Sequence, residues 1–355
     1  MTYQDHLVLD VHGHVSVPPA ANNMVVSMLG SNQPMPSNVG QQVTPGKGPT
    51  EAEFRATAQG HVDYLDARDI DVQVIGPRPY LQFGWMEPHI QPGWSAYVND
   101  LIAQQVSFFP DRFVGAAQLP LHASHPDTTH VLKELDRAVN ELGFAAAYLS
   151  PDITGNRSGH GLDHEWYYDL YEAAQGYDVP LIVHGTNTLD PRFRTNNVPM
   201  NYQLHFLTEQ YLAGQFLAHG PVFDRFPRLR VIVCHCGGAL DRFISTDKHL
   251  AQRDLSNNLF YDSCGYDLDF LEAAIKQRGV DRLVFGTEAP GSGGAIRPET
   301  GRTSDDLVPV LDSFEFLTDA DRRAIFHDNP LKVVPGFARS GRLDPTATTA
   351  QPAGV

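Results

Sequence analysis

The sequence predicts a single-domain α/β protein, a (β/α)8 barrel with a long loop insertion after its first strand. Three observations lead there. Eight short apolar runs recur along the 355 residues: Leu7–Leu9, Val72–Ile75, Phe113–Ala117, Ala145–Leu149, Leu181–Val183, Val231–Val233, Leu259–Tyr261 and Leu283–Phe285. They are nearly continuous in apolar residues, as parallel strands covered on both faces are. Longer amphipathic stretches separate them, and the residues with most chemistry fall just after them, where a barrel of this kind carries its site. A doubly wound open sheet is the competing arrangement, but no Gly-x-Gly-x-x-Gly turn follows any run.

Taken in order, the first run leads into Asp10-Val11-His12-Gly13-His14, where it breaks at a glycine-bearing turn. Residues 15–50 are rich in Pro, Gly, Asn and Gln without apolar periodicity, which reads either as a lid or interface loop or as an insertion without structure. Trp94–Phe109 sets Tyr97, Leu101, Ile102 and Gln105 at helical spacing until Phe109-Pro110 stops it. Asp127–Leu142 repeats Val131, Leu132, Leu135, Ala138, Val139 and Leu142 in the i, i+3, i+4 pattern and ends on Gly143. His164–Gln175 and Asp267–Gln277 are helical on the same grounds. The barrel domain is expected over residues 1–338, followed by a flexible Thr-, Ala- and Pro-rich tail over 339–355.

Composition narrows the function classes. Asp plus Glu outnumber Lys plus Arg by 42 to 26, a net charge of −16, and the basic residues are scattered singly, which argues against nucleic acid as a partner. The first twenty residues lack a basic segment followed by an apolar one, and no apolar run is long enough for a bilayer, so membrane association is not expected. Cys234, Cys236 and Cys264 are three cysteines, too few and odd in number for a disulfide framework. A cytoplasmic location is the expectation.

An isolated His-x-His is ordinarily a pair of surface histidines, but the other strand ends change that reading. In extended backbone residues i and i+2 share a side, so His12 and His14 can meet at one point. The fifth run is followed by His184, the sixth by Cys234-His235-Cys236, the seventh by Asp262-Ser263-Cys264 and the eighth by Gly286-Thr287-Glu288. Four histidines and a carboxylate at successive strand ends point to a metal site. His12, His14, His184 and Glu288 make a three-nitrogen, one-oxygen set that suits zinc, with manganese and iron as alternatives. His235 is left over as a general acid or base. The fourth run carries no lysine that could be carboxylated to bridge two ions, so one divalent ion is expected.

Further candidates carry less chemistry. Arg78 after the second run can clamp a substrate carboxylate or serve a rim ion pair, and Arg192 and Arg194 are weaker candidates of the same kind. Cys264, two residues beyond Asp262, is a candidate for the mouth of the site. Cys234 and Cys236 flank His235 and are assigned to packing. His61, His122 and His249 carry no functional expectation.

The order His-x-His, His184, His235 and an acidic residue after the eighth strand resembles the amidohydrolase superfamily, in its branch of metal-dependent decarboxylases and hydratases. Phe109-Pro110-Asp111-Arg112-Phe113, Phe226-Pro227 and Asn329-Pro330 fit it too, so the likeness covers about residues 7–337. Decarboxylases of that branch carry aspartate after strand eight. Glu288 there is similar to the oxalomesaconate-type hydratases, as are Gly76-Pro77-Arg78, Gly115-Ala116-Ala117-Gln118-Leu119-Pro120 and Pro298-Glu299-Thr300-Gly301. The resemblance implies a hydro-lyase acting on an unsaturated oxo- or hydroxy-carboxylic acid, with Glu288 bridging metal and water, His235 moving the second proton, and Arg78 and Cys264 facing substrate. Non-oxidative decarboxylation of an aromatic or dienyl acid is the alternative chemistry, and simple amide or ester hydrolysis a third. The arginine that such hydratases carry in the loop after the glutamate is missing from Ala289-Pro290-Gly291-Ser292-Gly293-Gly294, and Arg297 stands several positions on, which implies a less charged substrate. A homodimer is the family's expectation, and a metal-bearing subunit beside a related chain is the alternative outside catalysis.

Overall fold

A computed structural model describes residues 3–18, 49–82, 84, 86–186, 188–189 and 201–343. The core of the 15–50 insertion, Arg192, Arg194 and the tail beyond residue 343 lie outside the described residues. Eight parallel strands stand in chain order around one sheet: β1 (Leu9–His14), β2 (Val72–Gly76), β3 (Phe113–Gln118), β4 (Ala146–Leu149), β5 (Leu181–Val183), β6 (Val231–Val233), β7 (Leu259–Asp262) and β8 (Leu283–Val284). The seam between β8 and β1 is joined by Val11 N–H to Phe285 O at 2.9 Å and Glu288 N–H to His12 O at 2.8 Å. This is a (β/α)8 barrel.

Strand alternation sorts the apolar residues into two cores. Leu9, Val11, Val72, Val74, Val114, Ala116, Ala146, Tyr148, Ile182, Ile232, Phe260 and Val284 fill the barrel interior, and Val333, Val334 and Phe337 from the chain's last helical turns pack onto the same cluster. Ile75, Phe113, Ala147, Leu149, Val183, Val233, Tyr261 and Phe285 meet the surrounding helices instead. Four of those helices follow the sequence expectation: Gln91–Phe108, Thr129–Asn140, Tyr168–Tyr177 and Leu268–Arg278. Two long ones were not foreseen. Glu51–Asp66 opens on a capping box between Thr50 and Glu53, with Thr50 N–H to Glu53 Oε2 at 2.7 Å. Asn201–His219 precedes β6. Among the described residues no helix is long and apolar enough to cross a membrane.

The first strand departs from expectation. It begins later than the apolar run and continues through both histidines, so His12 and His14 lie in the strand and not in a turn after it. Its ladder to β2 slips between Asp10 and Gly13, a step of three residues facing the two-residue step from Gln73 to Ile75. That is a β-bulge. It resets the alternation, so Val11 packs in the barrel interior while His12 and His14 still point to the site. Gly13 then faces outward against Gln73, where a Cβ would lie 2.3 Å from Gln73 Cδ.

Candidate metal centre

The bulged β1 brings His12 and His14 to the strand ends, where the sheet delivers the other groups. His184 continues the inward phase of Ile182 on β5. His235 cannot arrive that way, because Cys234 holds the inward position on β6. The chain instead turns through left-handed backbone at His235 (φ 53°) and Cys236 (φ 56°), and Glu288 adopts φ 59° after β8. These conformations cost about 1–3 kcal/mol each and are retained where the surroundings hold them. Asp262 supplies such a hold, accepting from Cys236 N–H at 3.0 Å and Cys264 N–H at 3.1 Å.

The result is a ring of imidazoles. Centroids of His12, His14, His184 and His235 lie 4.9–5.3 Å apart along the pairs that touch. The Glu288 carboxylate faces them with its two oxygens divided. Oε1 lies 3.5 Å from His14 Nε2 and 3.8 Å from His184 Nε2, while Oε2 lies 3.7 Å from His235 Nε2. Oε2 also accepts from Ser292 Oγ at 2.6 Å and Tyr266 OH at 3.2 Å.

Outer partners orient each ring. His12 Nδ1 pairs with Asp262 Oδ2 at 2.7 Å, His14 Nδ1 donates to Pro77 O at 2.9 Å, and His184 Nδ1 donates to Gly185 O at 2.7 Å. All three partners accept only, so each neutral ring keeps its hydrogen on Nδ1 and turns a lone pair on Nε2 inward. The Nε2 atoms of His12, His14 and His184 are buried without a hydrogen-bond partner. Three orphaned lone pairs aimed at one carboxylate fit a divalent cation, because buried polar atoms otherwise find partners. A tighter geometric grouping joins His12, His184, His235 and Glu288, whose ligand atoms all lie within 4.8 Å of one another.

Protonation states agree with that use. Burial holds His14 well below the usual imidazole range and lowers His184 to about 4, so both are neutral near pH 7. Burial alone would raise Glu288, but the facing His14, His184 and His235 outweigh it and hold the carboxyl well below its ordinary value. Burial also opposes a charged His12, yet Asp262 outweighs it and raises that imidazole.

The remaining predicted residues sit close by. Arg78 donates from Nε to Val15 O at 3.0 Å and from Nη1 to Pro290 O at 3.3 Å, which aims it across the rim between β1 and the loop after β8. Cys264 is buried, its thiol 3.4 Å from Thr287 O and 3.6 Å from Tyr266 OH, and burial pushes its pKa well up, so it is a neutral wall group. Cys234 and Cys236 are buried among apolar neighbours. Arg297 is buried too, with Nη2 on Tyr266 O and Ser304 O.

Sequence reasoning assigned no role to Asp10, Asp262, Gln210, Tyr266 or Ser292. Asp10 is wholly buried and links β1 to β2 and to the segment after β8: it accepts from His12 N–H at 2.9 Å, Gln73 Nε2 at 2.8 Å and Thr287 Oγ1 at 2.6 Å. Burial raises it to about 6. Charged residues directly after the first and seventh apolar runs, Asp10 and Asp262, were the available signal.

Residues 9–336 match a family described as amidohydrolase. The chain is 30% identical over 344 residues to a 2-keto-4-carboxy-3-hexenedioate hydratase of Sphingobium sp. (strain NBRC 103272 / SYK-6), covering 93% of this chain and 96% of the relative. It is 32% identical over 213 residues to a gamma-resorcylate decarboxylase of Polaromonas sp. (strain JS666 / ATCC BAA-500), 54% of this chain and 64% of that protein. The crystal structure of a 4-oxalomesaconate hydratase from Rhodopseudomonas palustris superimposes with a TM-score of 0.79 at 24% identity, over 96% of this chain and 99% of that one, a likeness of fold.

Proposed function

This chain belongs to the amidohydrolase family, and on that premise we propose that it is a metal-dependent hydratase adding water across the carbon–carbon double bond of an unsaturated oxo- or hydroxy-carboxylic acid. The observation that carries the reading is the divided Glu288 carboxylate, one oxygen toward the orphaned imidazoles and the other 3.7 Å from His235 Nε2. In this reading His12, His14, His184 and Glu288 hold one divalent ion, with zinc proposed, though manganese and ferrous iron accept the same donors. Such an ion supplies Lewis acidity and lowers the pKa of a bound water toward about 7.

The chain's own groups account for both protons. Water's oxygen bonds to the carbon β to the oxo group, and its released proton passes to Glu288 Oε2. The electron pair of the double bond moves toward the oxo group, and the α carbon of the resulting enolate takes the Nε2 proton of neutral His235, leaving an imidazolate to be reprotonated. Transfer from Glu288 to His235 across their 3.7 Å separation restores both groups. Arg78, fixed by Val15 O and Pro290 O, orients a substrate carboxylate at the rim, and Cys264 lines the wall as a neutral thiol.

Incubation of the zinc-loaded protein with 2-keto-4-carboxy-3-hexenedioate, followed by loss of the conjugated-alkene absorbance, tests the reaction. Turnover abolished by Glu288→Gln is the expected result. The decarboxylase relative motivates a parallel assay of CO2 release from gamma-resorcylate. Release there without hydration would replace the hydratase reading with decarboxylation.

A further inference from the structure

The four imidazoles of the centre are not held alike. His12, His14 and His184 each direct Nδ1 at an oxygen that only accepts. His235 directs Nδ1 at the side-chain amide of Gln210, a wholly buried residue of the helix between β5 and β6. An amide offers both a donor and an acceptor, so its orientation decides which hydrogen the imidazole carries.

That orientation is settled by two backbone groups. Gly185 N–H requires an acceptor and finds Gln210 Oε1 at 2.9 Å. Cys234 O requires a donor and finds Gln210 Nε2 at 2.6 Å. Turning the amide over would set donor against donor at Gly185 and acceptor against acceptor at Cys234. With Oε1 and one Nε2 hydrogen so engaged, the second Nε2 hydrogen faces His235 Nδ1 at 3.0 Å, nearer than Oε1 at 3.2 Å. A hydrogen on Nδ1 could reach the second lone pair of Oε1, but it would leave the second amide N–H buried, facing another N–H and without an acceptor, a costly arrangement.

We infer that Gln210 is a positioning residue that keeps the neutral His235 ring in the tautomer with its hydrogen on Nε2. His235 then points an N–H, not a lone pair, toward Glu288 Oε2 and bound substrate. The same contact excludes it from the ligand set, although its nitrogen lies within 4.8 Å of the ligand atoms of His12, His184 and Glu288. One amide thus separates three metal-binding histidines from one proton donor. It also ties the two strand ends together, since Gly185 follows His184 and Cys234 precedes His235. The inference rests on His235 acting as the acid–base group of the proposed hydratase.

The test is two-bond ¹H–¹⁵N correlation of the zinc-loaded, ¹⁵N-histidine-labelled full chain, with the His235 signals identified by their loss in His235→Asn. The expected wild-type pattern has the hydrogen on Nε2 and a bare Nδ1. Gln210→Glu, which presents only acceptors, is expected to move the hydrogen to Nδ1. It should also lower kcat about a hundredfold with KM nearly unchanged. Cobalt-substituted protein should then show an altered visible spectrum, as His235 Nε2 becomes available to the ion. A wild-type His235 protonated on Nδ1 overturns the inference, and that measurement stands even if Gln210→Glu does not fold. An unchanged tautomer in a folded Gln210→Glu overturns it as well. Absence of hydratase turnover with the expected tautomer would instead count against the proposed reaction alone.

Discussion

Among the described residues, two separate buried clusters combine histidine with carboxylates, and they differ in how far their donors are already used. Asp152, His205 and Glu209 bring their ligand atoms within 4.8 Å of one another, just as members of the strand-end ring do. Their carboxylates already have partners. Asp152 accepts from Thr154 Oγ1 at 2.7 Å, Thr154 N–H at 3.2 Å and Arg157 N–H at 3.0 Å, and Glu209 is paired with the Arg157 guanidinium. That cluster pins the loop after β4 to the helix Asn201–His219. At the strand ends, by contrast, three Nε2 atoms remain without a partner while every Nδ1 is held. Residue type is common to both clusters. Unspent lone pairs aimed at one point distinguish the second.

The contrast breaks most sharply at the ligands. His184→Ala is expected to remove the metal and lower turnover by at least about a thousandfold, whereas Glu209→Gln retains a full equivalent. Elemental analysis of the two purified variants compares them directly, and metal loss from Glu209→Gln would dissolve the distinction. Asp262→Asn comes next. It leaves His12 in place but removes the charge behind Nδ1, so metal affinity should fall about 10- to 100-fold, read by competition with a chelator.

A third effect, on stability and not on the metal, concerns a histidine that is satisfied on every side. His61 sits between Ser16 Oγ (3.0 Å), Gln105 Nε2 (3.0 Å) and Gln73 Oε1 (2.9 Å), and burial, aided by Arg78, lowers it to about 3. Its folded pKa lies below its unfolded value near 6.5, so the unfolded chain takes up a proton that the folded chain refuses. Stability from this site is therefore complete above about pH 6.5 and declines as pH falls toward 3, by at most about 1.4 kcal/mol per pH unit. Urea midpoints measured across that window should fall less steeply in His61→Gln, and parallel slopes would contradict the assignment.

Much of this was legible along the chain. The eight apolar runs marked the eight strands, because parallel strands covered on both faces leave no polar phase to confuse the pattern. The helix Glu51–Asp66 was less legible, since its apolar positions, Phe54, Ala58, Val62 and Leu65, include a small residue and alternate with many charges. Strand ends also pointed to His12, His14, His184, His235 and Glu288. The bulge in β1 and the left-handed turns at His235 and Glu288 left no mark, because they arise from neighbouring strands and loops holding the backbone in place.

By itself, then, the sequence determined the barrel and the kinds of side chain gathered at its mouth, since periodicity and residue chemistry are local properties. Tertiary structure alone decided which of those groups are equivalent. Asp262 lies 250 positions from His12 and Gln210 lies 25 from His235, yet these contacts determine where each imidazole carries its hydrogen. A ring nitrogen's role depends on what the other nitrogen touches, and that is a matter of distance in space.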